Sequence, residues 1–383
     1  MTARCGHPNH YCILYPMRIG ILTLPLHTNY GGILQAYALQ TVLERMGHEV
    51  CLIEKKREVI PFSLWKAPLV YGKRILMNAF GHPVPIFYEQ KANIIKKNTE
   101  RFIDKYIKRR IVGAFSEIRE KDFDAIVVGS DQIWRPKYFK DIEHAYLDFT
   151  KDWNIKRIAY AVSFGTDEWE YTPEQSERCG KMSNHFNAVS VREDSGMNLC
   201  HTHFGIKAQH VLDPTMLLNK EDYIRLFENA NTPKCEGTLL NYILDETPEK
   251  LALIEKIAKE KNLVSFRVNS KVESREIPLQ ERIQPPVEQW LRGFYDAEFV
   301  VTDSFHACVF SILFNKPFIA IGNVRRGMSR FKSLLSMFGL EKRLITSSSC
   351  DIEEIEDINW SKVNAILNDK AYASIKLLAA NLK

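Results

Sequence analysis

The residues with the clearest chemical potential are Thr302-Asp303-Ser304-Phe305-His306-Ala307, where the apolar run Phe299-Val300-Val301 stops and a helix-like run, Ala307 to Ile312, begins. A strand that passes through a short polar turn into a helix aims the helix's first backbone N–H groups, and the positive end of its dipole, at the sheet edge. A phosphate or carboxylate fits there. Histidine changes charge near neutral pH, so His306 beside those amides can give a proton to such an anion or hold it. Arg325, Arg326 and Arg330 follow the next strand, Pro317 to Ile321, and add guanidinium groups suited to phosphate and carboxylate. The plainer reading of the same turn is a capped helix start, with Asp303 or Ser304 as the N-cap.

The elements that must carry this turn read as α/β. Arg18 to Leu24 is an apolar run suited to a buried parallel strand, and Gly32 to Met46 repeats apolar residues at helical spacing. Gly47 closes that helix, and Glu49 to Glu54 gives the next strand, completing a βαβ unit. The loop His27 to Gly32 has two glycines where backbone comes close to something, but it is not GxGxxG. Further strands are expected at 124–129, 157–163 and 188–192. They end in the polar clusters Ser130-Asp131-Gln132, Ser163-Phe164-Gly165 and Arg192-Glu193-Asp194-Ser195, and Gln209 to Leu212 leads to the turn Asp213-Pro214-Thr215. Carboxyl ends of strands are where open α/β sheets bind ligands. A polar stretch at 216–236 is expected to separate a second alternating block: strand 238–244, helix 249–261, strand 263–268, helix 287–296, the opening turn, and a helix at 329–338. A terminal helix over 360–382 is expected to pack back on the first block.

At 383 residues the chain is long enough for two domains. Those expected are 17–220 and 221–383, after an irregular leader, 1–16. That leader contains Cys5, His7, His10 and Cys12, but four ligands within eight residues match no usual structural zinc spacing, so no metal is expected. The eight cysteines show no pairing rhythm. With no apolar stretch of membrane-spanning length and no signal peptide, a cytoplasmic location is expected. Residues 55–121 hold 16 Lys+Arg against 6 Asp+Glu within a chain of net charge +5. This section reads as a basic insertion, with a helix from about Glu89 to Arg110. Its interleaved aromatics suit either a solvated face or peripheral contact with an anionic membrane surface or lipid diphosphate. No nucleic-acid recognition motif accompanies the charge, and no nucleic-acid partner is expected.

Six stretches, NYGGILQAYALQ at 29–40, VGSDQIW at 128–134, YAVSFG at 160–165, SVREDSG at 190–196, VLDPTMLL at 211–218 and TDSFHACVFSILFNKPFIAI at 302–321, together resemble the polysaccharide pyruvyl transferase family. The match is in family order from about residue 18 to 345. The resemblance implies two facing Rossmann-like α/β domains, arranged as in glycosyltransferase B, with the active site in the cleft between them. It also implies phosphoenolpyruvate as co-substrate without a further cofactor, and a sugar hydroxyl pair as acceptor. The product would be a pyruvate ketal on a polyprenyl-diphosphate-linked or polymeric glycan.

The residue types suit that chemistry. A carboxylate and a phosphate call for several cations and backbone donors, and the candidates are Arg192, Arg325, Arg326, Arg330 and the helix start Ser304, Phe305 and Ala307. Protonating the enol carbon needs an acid, for which His306 is best placed, and a carboxylate, Asp131 or Glu193, must take the sugar proton. Asn29, Tyr30, Gly31, Gln35, Gln132 and Trp134 are expected on the acceptor side, with an aromatic face under the sugar. One departure stands out: members with an Arg-x-His pattern carry arginine two residues before the histidine, and this chain has Ser304 there. A nucleotide-sugar glycosyltransferase of the same plan, or a non-catalytic glycan- or lipid-binding protein, are the competing expectations.

Overall fold

The computed structural model describes residues 15–56, 67–79, 88–272, 274, 277–322, 327–345 and 356–383. Its first half is a parallel sheet of seven strands, β1 (Arg18–Leu22), β2 (Glu49–Lys55), β3 (Arg109–Val112), β4 (Ala125–Val128), β5 (Lys156–Val162), β6 (Ala188–Val191) and β7 (Gln209–His210), in the order β3-β2-β1-β4-β5-β6-β7. The helices that precede the second sheet in the chain are α1 (Tyr30–Arg45), α2 (Ala67–Ala79), α3 (Tyr88–Ile95), α4 (Lys97–Tyr106), α5 (Pro173–Ser183), α6 (Asp194–Leu199) and α7 (Lys220–Asn229). Ile19 to Leu22 and Ala125 to Val128 are buried throughout, as apolar strands are when both faces of a parallel sheet are covered.

The second half is a parallel sheet of five strands, β8 (Leu239–Tyr242), β9 (Ser265–Phe266), β10 (Phe299–Thr302), β11 (Phe318–Ile321) and β12 (Leu344–Ile345), in the order β12-β11-β10-β8-β9. Its helices are α8 (Pro248–Glu260), α9 (Val287–Asp296), α10 (Phe305–Leu313), α11 (Met328–Phe338) and the terminal α12 (Trp360–Asn381). Strand order reverses between β1 and β4 in the first sheet and between β8 and β10 in the second, and such switch points are where open sheets hold ligands.

Three expectations change. Residues 55–121 are not simply an interruption of the sheet, because β3 pairs in parallel with β2 through Leu52 and Arg109 and extends it. The single helix expected at 89–110 is two helices and that strand: Ile107 is extended, and Arg109 is tied to Glu54, Glu100 and Asp104. The polar stretch 216–236 contains α7, started by a capping box between Asn219 and Asp222. The leader with Cys5, His7, His10 and Cys12 lies outside the described residues.

The halves share one apolar core. Tyr30 at the start of α1 stacks on Trp290 of α9 with ring centroids 5.3 Å apart, and Tyr223 of α7 meets Phe310 of α10 edge-on at 4.9 Å. The terminal helix returns to the first half, where Ser374 Oγ accepts a hydrogen bond from Leu212 N at 3.2 Å. It thereby supports the turn that begins at Asp213.

Candidate active site

The turn after β10 is built by Asp303 and Thr302. Asp303 is fully buried and accepts hydrogen bonds from Leu244 N at 2.7 Å, Asp245 N at 3.1 Å and Lys250 Nζ at 2.7 Å, so it ties the ends of β8 and β10 together. Ser304 occupies the N-cap position of α10 but makes no side-chain cap bond, and its N–H donates to Thr302 Oγ1 at 3.0 Å. The plain capping role is therefore filled by neither residue. This build directs His306, in the first turn of α10, toward the first sheet.

There His306 Nε2 lies 3.6 Å from Asp213 Oδ2, an ion-pair separation. Its ring packs on the backbone of Gly31, where a Cβ would come within 2.0 Å of Nδ1. Only glycine leaves room for the imidazole. Asp213 is fixed on its other side by Thr215, whose N and Oγ1 donate to Oδ1 at 3.0 and 2.7 Å. Arg192, at the end of β6, donates to Asp213 Oδ2 at 2.7 Å and to Asp131 Oδ1 at 3.3 Å. Phe305 lies beside two guanidinium groups, with Arg192 Cζ 4.5 Å and Arg330 Cζ 5.7 Å from its ring centroid. Arg330, on α11, thus brings positive charge to the turn where the sequence has Ser304 in place of arginine.

The electrostatics follow from burial and from these neighbours. Burial by itself would raise the Asp213 carboxyl, but His306 and Arg192 outweigh it and hold the group far below the usual carboxylate range. Burial likewise opposes ionisation of Asp131, and Arg192, His306 and Arg330 together override it, so this carboxyl is also held low. Arg330 is pulled down to about 10, first by burial and then by the nearby Arg192. Both carboxylates are ionised at neutral pH, and an anion placed beside the two guanidinium groups would relieve their repulsion.

The turn after β4 is held by a dense set of hydrogen bonds. Gln35 Oε1 accepts from Ser130 N at 2.8 Å, while its amide donates to Thr23 Oγ1 at 3.0 Å. Ser130 Oγ donates to Ala161 O at 2.8 Å, and Asp131 O accepts from Ser163 N at 3.0 Å. Asp131 and Ala161 both have positive φ, 64° and 50°, a conformation these bonds must hold in place. Ala161 sits where the register between β5 and β6 shifts, and bulges of this kind re-aim groups beside functional sites.

Several expected roles are revised by this geometry. Tyr30 is fully buried, with its hydroxyl donating to Pro285 O at 2.8 Å, and Trp134 is fully buried, with Nε1 donating to Ala145 O at 3.2 Å and its ring stacked on Tyr146. Neither can offer a face to a sugar. Gln35 and Gln132 are also committed: Gln35 orients the Ser130-Asp131 turn, and Gln132 Oε1 accepts from Arg135 Nη1 at 3.0 Å. Gly31 serves the histidine rather than an acceptor. Glu193 is buried, and its Oε1 accepts from Ser163 Oγ at 2.8 Å, Phe164 N at 2.9 Å and Gly165 N at 3.2 Å, which makes it a clamp on that turn. Arg192 is engaged by two carboxylates. Asn29 remains exposed at the N-cap of α1, Ala307 is buried, and Arg325 and Arg326 lie outside the described residues.

The residue that sequence reasoning missed is Asp213. Its motif, VLDPTMLL, was visible, but an Asp-Pro pair after a short strand reads equally well as a turn. Ser130, Ser163 and Thr215 were missed in the same way, since their importance lies in which carbonyl and carboxylate oxygens they reach.

Two parallel α/β sheets meet with an imidazole, two guanidinium groups and two ionised carboxylates gathered between their switch points. A family model, Polysaccharide pyruvyl transferase, matches residues 29–324, and the chain belongs to that family. No curated protein matches the sequence. Among solved structures, UGT89C1 of Arabidopsis thaliana complexed with UDP-L-rhamnose is similar with a TM-score of 0.48 and 9% identity, covering 96% of this chain and 100% of that one. UDP-GlcNAc 2-epimerase from Neisseria meningitidis bound to UDP-GlcNAc has a TM-score of 0.47 and 10% identity, over 95% and 99% of the two chains. MurG of Acinetobacter baumannii has a TM-score of 0.42 and 11% identity, over 95% and 99%.

Proposed function

We propose that the protein transfers the pyruvyl group of phosphoenolpyruvate to a pair of hydroxyls on a sugar, galactose-type favoured, in a lipid-linked or polymeric surface glycan. The observation that supports this reading is the meeting of His306 and Arg330 from one half with Asp131, Arg192 and Asp213 from the other. Arg330 and the first turn of α10 receive the anionic groups of the donor, with Arg325 and Arg326 added on sequence grounds. His306 gives a proton to the enol carbon as one sugar hydroxyl bonds to the adjacent carbon, and Asp131 takes the proton of that hydroxyl. The second hydroxyl then bonds to the same carbon as the C–O bond to phosphate breaks, its proton going to the leaving phosphate, and the ketal closes. Of the two carboxylates considered for the base, the three bonds to Glu193 Oε1 favour Asp131. Asn29, exposed beside the Asp131 turn, contacts the acceptor. Phosphoenolpyruvate brings its own leaving group, so the reading needs no cofactor, and a soluble donor of this kind points to the cytoplasmic side of the membrane.

Incubation with phosphoenolpyruvate and a panel of aryl glycosides, β-galactoside first, tests this by mass spectrometry with phosphate release in parallel. The expected result is a mass gain of pyruvate less one water, matched by phosphate. No gain on any glycoside, together with no thermal protection by phosphoenolpyruvate and a clear shift with UDP or GDP, would replace this reading with a nucleotide-sugar glycosyltransferase.

A further inference from the structure

Helix α2 contains apolar side chains that the rest of the described protein leaves uncovered. Leu69, Ile75 and Leu76 are 75%, 54% and 60% exposed. At 100° per residue, Leu69 and Leu76 lie about 20° apart around the helix axis and Ile75 about 100° beyond Leu76, with Gly72 between them. They form one apolar face, and exposed Lys73 stands at its edge. Three large aliphatic side chains on one face of a helix are more than the scattered exposure normal for a soluble surface.

Charge indicates what covers this face. The section 55–121 holds 16 Lys+Arg against 6 Asp+Glu, while the whole chain is only +5, so its positive charge is concentrated here. Farther along, α4 presents Lys97, Arg101 and Lys105 at exposed positions four residues apart. An apolar helix face edged by Lys73, in the most basic section of the chain, matches an anionic bilayer surface, where aliphatic groups enter the acyl boundary and cations meet lipid phosphates. With 13 residues, α2 is too short to cross a bilayer, and no helix among the described residues is long and apolar enough to do so. The helix must therefore lie on the surface. It belongs to the connection that leaves β2 at its carboxyl end, the same end of the sheet as the Asp131 turn.

We propose that α2 is a membrane-contact helix that docks the enzyme on anionic lipid, with Leu69, Ile75 and Leu76 inserted and Lys73 at the edge of the inserted face. Docking is independent of the chemistry proposed for the site.

The test is sedimentation of the full chain with vesicles of phosphatidylcholine containing about 30% phosphatidylglycerol, against phosphatidylcholine alone. Binding to the anionic vesicles is expected. It should weaken on the order of tenfold or more when Leu69→Ser, Ile75→Ser and Leu76→Ser are combined, and also on raising the salt from about 0.1 to 0.5 M. The triple variant should keep the wild-type melting temperature, because the replaced groups are exposed, and wild-type turnover of a soluble acceptor. Undiminished vesicle binding by the triple variant, or no binding by the wild type, overturns the proposal. So does a wild-type dimer that the triple variant converts to a monomer, which would assign the face to a second copy of the chain.

Discussion

The turns after β4 and β10 face each other across the site and both are tied by buried hydrogen bonds, but they place their side chains by different means. The first is fixed by hydrogen bonds: Gln35, the Ser130 hydroxyl and Ser163 N hold its backbone, and Arg192 joins Asp131 to Asp213. The second places its reactive side chains by packing. His306 rests on Gly31, and Arg192 and Arg330 lie against Phe305. The first half supplies fixed carboxylates and the second the His306 imidazole and the Arg330 guanidinium, so the cluster is assembled only where the halves meet. A buried polar network costs much if broken and gives a definite geometry if complete. Packing against a glycine fixes a ring position and leaves its nitrogens available for chemistry.

The largest effect expected from breaking this division is at His306. His306→Ala should lower kcat by about 10²- to 10⁴-fold, the usual contribution of a general acid, with the melting temperature nearly unchanged. Full activity in that variant would remove the acid from the scheme. Gly31→Ala comes next, because its methyl would occupy the ring's position; a loss on the order of 10²-fold in kcat with intact folding would show that the glycine serves the histidine.

In the first half the same kind of change should affect stability as well. Asp213→Asn removes one of the two carboxylates that neutralise buried Arg192 and should cost about 3 kcal/mol or more, read from the denaturant midpoint. The pH dependence has a definite sign. Asp131 and Asp213 are held below their ordinary values, so the folded state binds fewer protons than the unfolded chain at acid pH. The stability they supply is complete above about pH 4 and is lost as the pH falls below it. Tryptophan fluorescence during acid titration should show a shallower loss for Asp213→Asn than for the wild type; equal slopes would contradict the assigned charge state.

The smallest effect expected is at Trp134. Trp134→Phe removes one buried hydrogen bond and should cost about 1 kcal/mol, with the acceptor KM unchanged. A KM several-fold higher would return this ring to the sugar site.

The sequence alone determined the α/β class, most strands and the strand-turn-helix at 299–313 with His306 in its first turn, because these depend on local pattern: apolar runs, helical spacing and a polar turn between them. It also showed Ser304 two residues before His306, where the Arg-x-His pattern has arginine. Only the tertiary structure put Glu193 under three donors and Asp131 beside Arg192, buried Tyr30 and Trp134, packed Gly31 under the imidazole and brought Asp213 to the histidine. The reason is physical: a carboxylate's role is set by which donors reach it and an aromatic ring's by what covers it. Both are decided by segments far apart in the chain, as Asp213 and His306 are, and local pattern carries no record of them.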